Sequence, residues 1–326
     1  MGVESAGPPL IVVLDGFTVN PGDNPWDELA SLGTLIVHDR TQAGDVVLRS
    51  SGAQILITNK TPIDAETMAQ LPELRFISVL ATGFNVVDVR AARARGIAVS
   101  NVPEYSTNAV AQHTFALLLE LCHQVGLHHT AVTAGEWIRS SDFCFWRRPP
   151  VELAGLTMGI VGFGRIGKRV GEIANAFGMN VIVAGNARHR PAGSQPSPPV
   201  SIRQLFSGAD VVTLHCPLTD KNAGFVNADL LACMKSSAFF INTARGGLVD
   251  EQALAAALDS GHLAGAAVDV VSVEPMRAEN PLLGARNCVI TPHMAWGSVG
   301  ARRRLLQQTV RNVEAFLTGR PINVVN

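Results

Sequence analysis

The sequence predicts an α/β protein made of two doubly wound domains with mostly parallel sheets. Three observations predict it. Short β-branched runs alternate with segments of helical spacing along nearly the whole chain, the pattern of βαβ units. A glycine pattern, G-x-G-x-x-G, falls where one such run meets a helical segment, the context in which it signals dinucleotide binding. The 326 residues suffice for two domains, each with its own core.

In the first third, "LIVVLDG" (10–16), "GTLIVHD" (33–39), "AQILITN" (53–59), "LRFISVLATG" (74–83) and "GIAVSN" (96–101) read as strands. Each is short, apolar and closed by turn residues. "NPWDELASLG" and "DAETMAQLP" between them have helical spacing, with Asp64 placed to cap the second. A long helix follows over 107–137, either continuous or broken in its middle, apolar on nearly every side in its first half and therefore expected to be buried. His123, His128 and His129 lie on it without the i, i+4 spacing that favours zinc, so no metal site is expected.

A second series then begins. "LTMGIVGFG" (156–164), "MNVIVAGN" (179–186), "ADVVTLHCP" (209–217), "SAFFINTARG" (237–246), "LAGAAVDVV" (263–271) and "NCVITPH" (287–293) are six more strands. Six is the size of a complete dinucleotide-binding sheet, so this domain is read as Rossmann-like. The chain closes with an amphipathic helix over 301–319.

Bulk properties exclude several classes. Hydrophobic residues make up 47%, charged residues 16%, and the formal net charge is -1. No basic footprint for nucleic acid or an anionic membrane follows from that balance, and no apolar run approaches bilayer length. The five cysteines form no C-x-x-C pair, which suits free thiols in a reducing compartment. The opening "MGVESAGPPLIVVLDG" lacks a basic start and a long apolar run, so a cytoplasmic protein is expected.

"GIVGFGRIG" places the glycine pattern at Gly162, Gly164 and Gly167, with Arg165 and Ile166 between the last two. The first glycine permits the tight turn, the second lets backbone approach a pyrophosphate, and the third lets helix and strand pack closely. Free N–H groups at the helix start then hold the anion.

Ligands of such a sheet bind beyond the carboxyl ends of its strands. Arg245 in "NTARGGLVD", Glu274 in "VDVVSVEP" and His293 in "VITPHMAWG" each follow a predicted strand there. A lone histidine after a buried strand is ordinarily a core ring satisfied by a carbonyl. A cation, a carboxylate and a histidine at one sheet edge point instead to chemistry. Hydride transfer to a ketone leaves charge on oxygen that a protonated His293 neutralises. Glu274 favours that protonated form, and Arg245 suits a 2-oxo carboxylate.

The run "GFGRIG … HCPLT … NTARGGLVD … VDVVSVEP … TPHMA" resembles the D-isomer-specific 2-hydroxyacid dehydrogenases, over essentially the whole chain and in the family's order. "TNKTPIDAE", "LATGFNVVD" and "FCFW" look most like its glycerate dehydrogenases, also called hydroxypyruvate or glyoxylate reductases. The resemblance implies a catalytic set of Arg245, Glu274 and His293. It implies a carboxylate-gripping loop at Ala81, Thr82 and Gly83, braced by Asn85 and Asp88. It places Asp269 at the nicotinamide carboxamide, Cys216 and Pro217 beside the adenosine, and Thr243 and His293 along the cofactor. It further implies a discontinuous, flavodoxin-like substrate domain, 1–104 with 297–326, into which an NAD(P)-binding domain, 105–296, is inserted. A homodimer is implied too, which suits the apolar helix after residue 107.

Two departures stand out. Gln112 occupies a place where the family often has glutamate. The acidic residue that binds an NAD ribose is absent at the end of "VIVAGNARHRPAG", where Gly185 and Asn186 stand, followed by Arg188 and Arg190. The expectation is that NADP(H) serves at least as well as NAD(H), with Asn186 and Arg188 or Arg190 at the 2′-phosphate. Two rivals share this fold: an NAD(H)-sensing corepressor-like scaffold, and a formate dehydrogenase, which Glu274 argues against because that family has glutamine there.

Overall fold

Every apolar run predicted as a strand forms one. The computed structural model describes residues 7–184 and 200–326. Its contacts divide the chain into two compact units, Met1–Ser106 with Trp296–Asn326, and Thr107–Ala295.

The first unit runs β1 (Leu10–Val13), α1 (Asp27–Ala30), β2 (Thr34–Val37), α2 (Val46–Arg49), β3 (Ile55–Thr58), α3 (Ala65–Ala69), β4 (Phe76–Val79), α4 (Val89–Ala94) and β5 (Ala98–Ser100). Its parallel sheet has the order β2-β1-β3-β4-β5, the flavodoxin-like winding. Asp64 caps α3 by accepting the Thr67 N–H, and Asp88 caps α4 by accepting from Arg90 and Ala91.

The second unit runs α5 (Thr107–His123), α6 (Val125–Thr133), β6 (Thr157–Val161), α7 (Arg165–Ala176), β7 (Asn180–Ala184), α8 (Ile202–Gly208), β8 (Val211–Leu214), α9 (Ala228–Leu231), β9 (Phe239–Asn242), α10 (Glu251–Asp259), β10 (Gly265–Val268) and β11 (Cys288–Ile290). Its sheet order is β11-β10-β9-β8-β6-β7. A parallel bridge from Ala184 to Val200 adds one more position outside β7, where the third strand of a dinucleotide winding belongs. β8, β9 and β10 are buried at every position, because helices cover both faces; hence their uninterrupted apolar sequence. The edge strands β7 and β11 are only half-buried.

The helix expected over 107–137 is two helices. Gln124 takes a left-handed conformation, φ 46°, which ends α5, and α6 stops at Thr133. The apolar face of α5 is spent inside its own unit: Ala111, Phe115 and Leu118 pack with Met158, Ile160, Val170 and Ile241. The chain then returns to the first unit as α11 (Val299–Leu317). There Phe316 stacks on the buried Phe76 with centroids 4.6 Å apart, and Arg302 pairs with Asp23 at 2.6 Å. Among the described residues, no helix is long and apolar enough to cross a membrane.

Candidate active site

Three neighbouring strands, β9, β10 and β11, deliver the three predicted groups from their carboxyl ends. Beyond β9, the Asn242 side chain folds the loop: its Nδ2 donates to the Arg245 carbonyl at 2.9 Å, and its Oδ1 accepts from Ala244 N–H at 3.0 Å. Arg245 itself is exposed. The next residue admits no side chain, since a Cβ on Gly246 would stand 1.9 Å from the Val271 carbonyl carbon. The loops after β9 and β10 therefore press together at backbone distance.

The loop after β10 is pinned from outside by Glu251, which accepts from Ser272 N–H at 2.6 Å and from Asn280 Nδ2 at 2.8 Å. It carries Glu274, whose Oε1 accepts from Val271 N–H at 3.2 Å. The other oxygen, Oε2, lies 2.6 Å from His293 Nδ1. A carboxylate accepts, so Nδ1 carries the hydrogen, and Nε2 is left as the nitrogen for another partner.

His293 adopts a left-handed backbone, φ 51°. Its N–H donates to the carbonyls of Asp269 at 2.7 Å and Thr291 at 3.0 Å. The Asp269 carboxylate, 1% exposed, holds the rest of the turn. It accepts from Thr291 Oγ1 at 2.6 Å, Met294 N–H at 2.9 Å and Ala295 N–H at 2.9 Å. His113 Nε2 stands 3.4 Å from the same carboxylate. Burial alone would raise the Asp269 pKa, but hydrogen bonds from His113, Thr291, Ala295 and Met294 outweigh it and hold the group below its ordinary value.

The glycine loop sits where the winding reverses, between β6 and β8. Gly162 has φ 94°, and a Cβ there would meet Cys216 N at 2.5 Å. A Cβ on Gly167 would meet the Gly162 carbonyl oxygen at 2.2 Å. Gly164 differs: its Cβ would meet nothing within 4 Å among the described residues. Packing does not demand that glycine. Gly164 is also the N-cap of α7 and gives it no side-chain cap; Arg165 opens the helix exposed, and Ile166 is half-buried. Thr243, at the end of β9, lies 3.1 Å from Thr114 on α5, oxygen to oxygen. Cys216 is half-buried and Pro217 exposed. Beside them His215 places Nε2 2.9 Å from Thr213 Oγ1. Its Nδ1 is shielded from solvent without a partner among the described residues. Burial pushes the His215 pKa down to about 3, so the ring stays neutral.

In the first unit, the predicted carboxylate-gripping loop follows β4. Val102 N–H donates to the Ala81 carbonyl at 3.0 Å, and Thr82 is held through Val102 and Asn101. Gly83 is half-buried and Asn85 exposed. Gly185, Asn186, Arg188 and Arg190 lie outside the described residues. The sequence reading passed over His113, Thr291 and Gly246, and took His215 only as the first residue of the run beside the adenosine. Only the "TPH" threonine, two residues before His293, offered a local signal.

Residues 115–295 match the family described as D-isomer specific 2-hydroxyacid dehydrogenase, NAD binding domain. A hydroxypyruvate reductase from Blautia hydrogenotrophica is 47% identical, covering 97% of this chain and 99% of the relative. The chain belongs to the D-isomer specific 2-hydroxyacid dehydrogenases. A glycerate dehydrogenase from Methylorubrum extorquens is 42% identical over 86% of this chain and 88% of its own. Among solved structures, an NADPH-dependent glyoxylate/hydroxypyruvate reductase from Sinorhizobium meliloti, in complex with NADP and malonate, superposes with a TM-score of 0.83. It is 28% identical, covering 98% of this chain and 97% of that one.

The nucleotide-binding unit of this dehydrogenase fits a dinucleotide on its own geometry. Gly164 leaves open space where backbone must approach a pyrophosphate, at a helix start without a side-chain cap. The His215 Nδ1 is an orphaned polar atom at the switch point. Asp269 Oδ2 accepts only from Ala295 N–H in the bonds described, so one of its two acceptor places remains for an amide.

Proposed function

We propose that this dehydrogenase reduces a small 2-oxo acid, hydroxypyruvate or glyoxylate, to the D-2-hydroxy acid, and catalyses the reverse oxidation. The observation that carries the reading is the 2.6 Å contact between His293 and Glu274 at adjacent strand ends of a dinucleotide-binding sheet. The names of the bacterial relatives support the substrate class.

Bound NAD(P)H supplies the hydride that reaches C2 of the substrate. Arg245 pairs with the substrate carboxylate, for which its planar fork is suited. In the first unit, the backbone N–H groups near Ala81, Thr82 and Gly83 suit a substrate carboxylate, and Asn85 braces their loop. As charge develops on the carbonyl oxygen, His293 delivers a proton from Nε2. Glu274 holds Nδ1–H and so orients the ring. One hydride and one proton thus convert the ketone to the alcohol. Gly162, Gly164, Arg165, Ile166 and Gly167 would hold the pyrophosphate, Cys216 and Pro217 would flank the adenosine, and Thr243 and Asp269 would meet the nicotinamide end.

NADP(H) serves at least as well as NAD(H) in this reading, because Gly185 and Asn186 put no carboxylate where a 2′-phosphate would sit and Arg188 and Arg190 follow. The test is kcat/KM for NADPH and NADH with hydroxypyruvate, in wild type and in Arg188→Ala and Arg190→Ala. A strong NADH preference unchanged by either substitution contradicts it.

The functional form is a homodimer. Support comes from exposed apolar side chains after α6: Ile138 and Phe143 are 88% and 90% exposed, and Trp137 and Trp146 more than half. A single copy leaves these wet; a monomer by light scattering at micromolar concentration contradicts the dimer. A cytoplasmic location fits the five free thiols.

A further inference from the structure

His113 reaches the site from α5, a helix on which none of the catalytic groups lies. Its Nε2 is 3.1 Å from Thr291 Oγ1 and 3.4 Å from Asp269 Oδ1. The hydrogen positions follow from the partners. The Thr291 hydroxyl has one hydrogen, and the 2.6 Å contact commits it to the Asp269 carboxylate. Thr291 Oγ1 can therefore only accept from His113, so His113 Nε2 carries a hydrogen. Next along the helix, Thr114 Oγ1 lies 3.1 Å from Thr243 Oγ1 on the neighbouring strand end. Two consecutive residues of α5 thus tie it to the carboxyl edge of the sheet.

We propose that His113 is a positioning residue for the proton donor: its Nε2–H, acting through Thr291 and the Asp269 carboxylate, fixes the turn from which His293 projects. That turn has no regular structure to hold it. It depends on the Asp269 carboxylate for Met294 N–H and Ala295 N–H, and on the Asp269 carbonyl for His293 N–H. His293 there keeps a left-handed backbone that a non-glycine residue adopts only when its surroundings impose it. With Thr291, Met294 and His113 all directed at Oδ1, the carboxylate has one fixed rotamer, and Oδ2 is presented in one direction. Without His113, Thr291 loses its only described donor and the carboxylate is freer to turn. The imidazole then strays from the geometry that proton transfer needs, where small displacements are costly.

The inference rests on the reading of His293 as the acid, and the experiment separates the two. In wild-type protein, the histidine 1H–15N long-range spectrum should show His113 protonated at Nε2 at neutral pH; a ring protonated at Nδ1 alone overturns the network whatever the enzyme's activity. In kinetics, His113→Leu and Thr291→Val should each lower kcat for 2-oxo acid reduction roughly tenfold or more, and by a clearly larger factor than they weaken NAD(P)H binding, because Asp269 makes only one of the cofactor's contacts. His113→Gln, which keeps an Nε2 donor, should recover most of the loss. Unchanged kcat in both apolar variants, cofactor affinity falling in step with kcat, or no advantage of glutamine over leucine would each overturn the proposal. A wild-type protein inactive towards every 2-oxo acid, yet showing the Nε2–H tautomer, would instead overturn the assigned reaction and leave the network standing.

Discussion

His293 Nδ1 stands 2.6 Å from Glu274 Oε2, and the two residues come from the ends of adjacent strands, β11 and β10. The Val271 N–H holds the other carboxylate oxygen at 3.2 Å, so the pair has a fixed direction. Both side chains stay partly exposed, at 26% and 36% of their area, so the pair is open to substrate and solvent.

Glu274→Gln keeps the hydrogen bond and removes the charge. The imidazolium that gives up its proton then lacks a charged partner, and kcat/KM for reduction should fall about tenfold or more. The measurement is kcat/KM for hydroxypyruvate reduction at neutral pH. Equal values for mutant and wild type contradict the coupling.

His293→Ala removes the proton source but none of the dinucleotide-holding backbone. Reduction should fall about 100- to 10,000-fold, while titration by cofactor fluorescence stays close to wild type. Near-normal turnover at neutral pH in the variant would show that another group supplies the proton.

Two glycines give opposite expectations. Gly246→Ala forces a Cβ to within 1.9 Å of the Val271 carbonyl carbon, which should cost about 3 kcal/mol of stability and displace the Glu274 loop. Gly164→Ala meets no protein atom within 4 Å among the described residues. It should leave stability within about 0.5 kcal/mol and weaken cofactor binding. Denaturant unfolding and cofactor titration of both variants check this; a Gly164→Ala protein that binds as wild type would remove the pyrophosphate from that loop.

His215 predicts a stability that falls with acid. The folded protein keeps the ring neutral, with its pKa down at about 3, whereas the unfolded chain takes up a proton below about pH 6.5. The contribution is complete above that value and is lost as pH falls towards 3, at about 1.4 kcal/mol per pH unit. Urea unfolding between pH 7 and pH 4 should show that slope, and His215→Gln should be shallower by the same amount. Equal slopes would place the ring in solvent.

Much of this was legible in the chain because the signals are local. Runs such as "FFIN" and "GAAV" are uninterrupted because helices cover both faces of β9 and β10. Arg245, Glu274 and His293 were findable because each follows its strand by a few residues. His113 was not, since its partners Asp269 and Thr291 lie in another part of the sequence and no periodicity links them. Gln112 drew the eye instead, and it is exposed. The apolar first half of α5 announced its burial, and it packs against α7 and the sheet; the dimer came from the family resemblance, and the wet apolar residues lie further along. A break in the middle of the 107–137 helix was open from sequence, but its place at Gln124 was not, because a left-handed glutamine has no sequence signature.

The central claim is that the chain is a 2-oxo acid reductase working through His293. Its most direct test is the steady-state oxidation of NADPH and NADH by purified protein over a panel of 2-oxo acids, with the chirality of the product determined. The account predicts substrate-dependent oxidation, with hydroxypyruvate or glyoxylate highest in kcat/KM and D-glycerate formed from hydroxypyruvate. Cofactor binding without oxidation by any 2-oxo acid would contradict it and favour a scaffold that only senses the nucleotide.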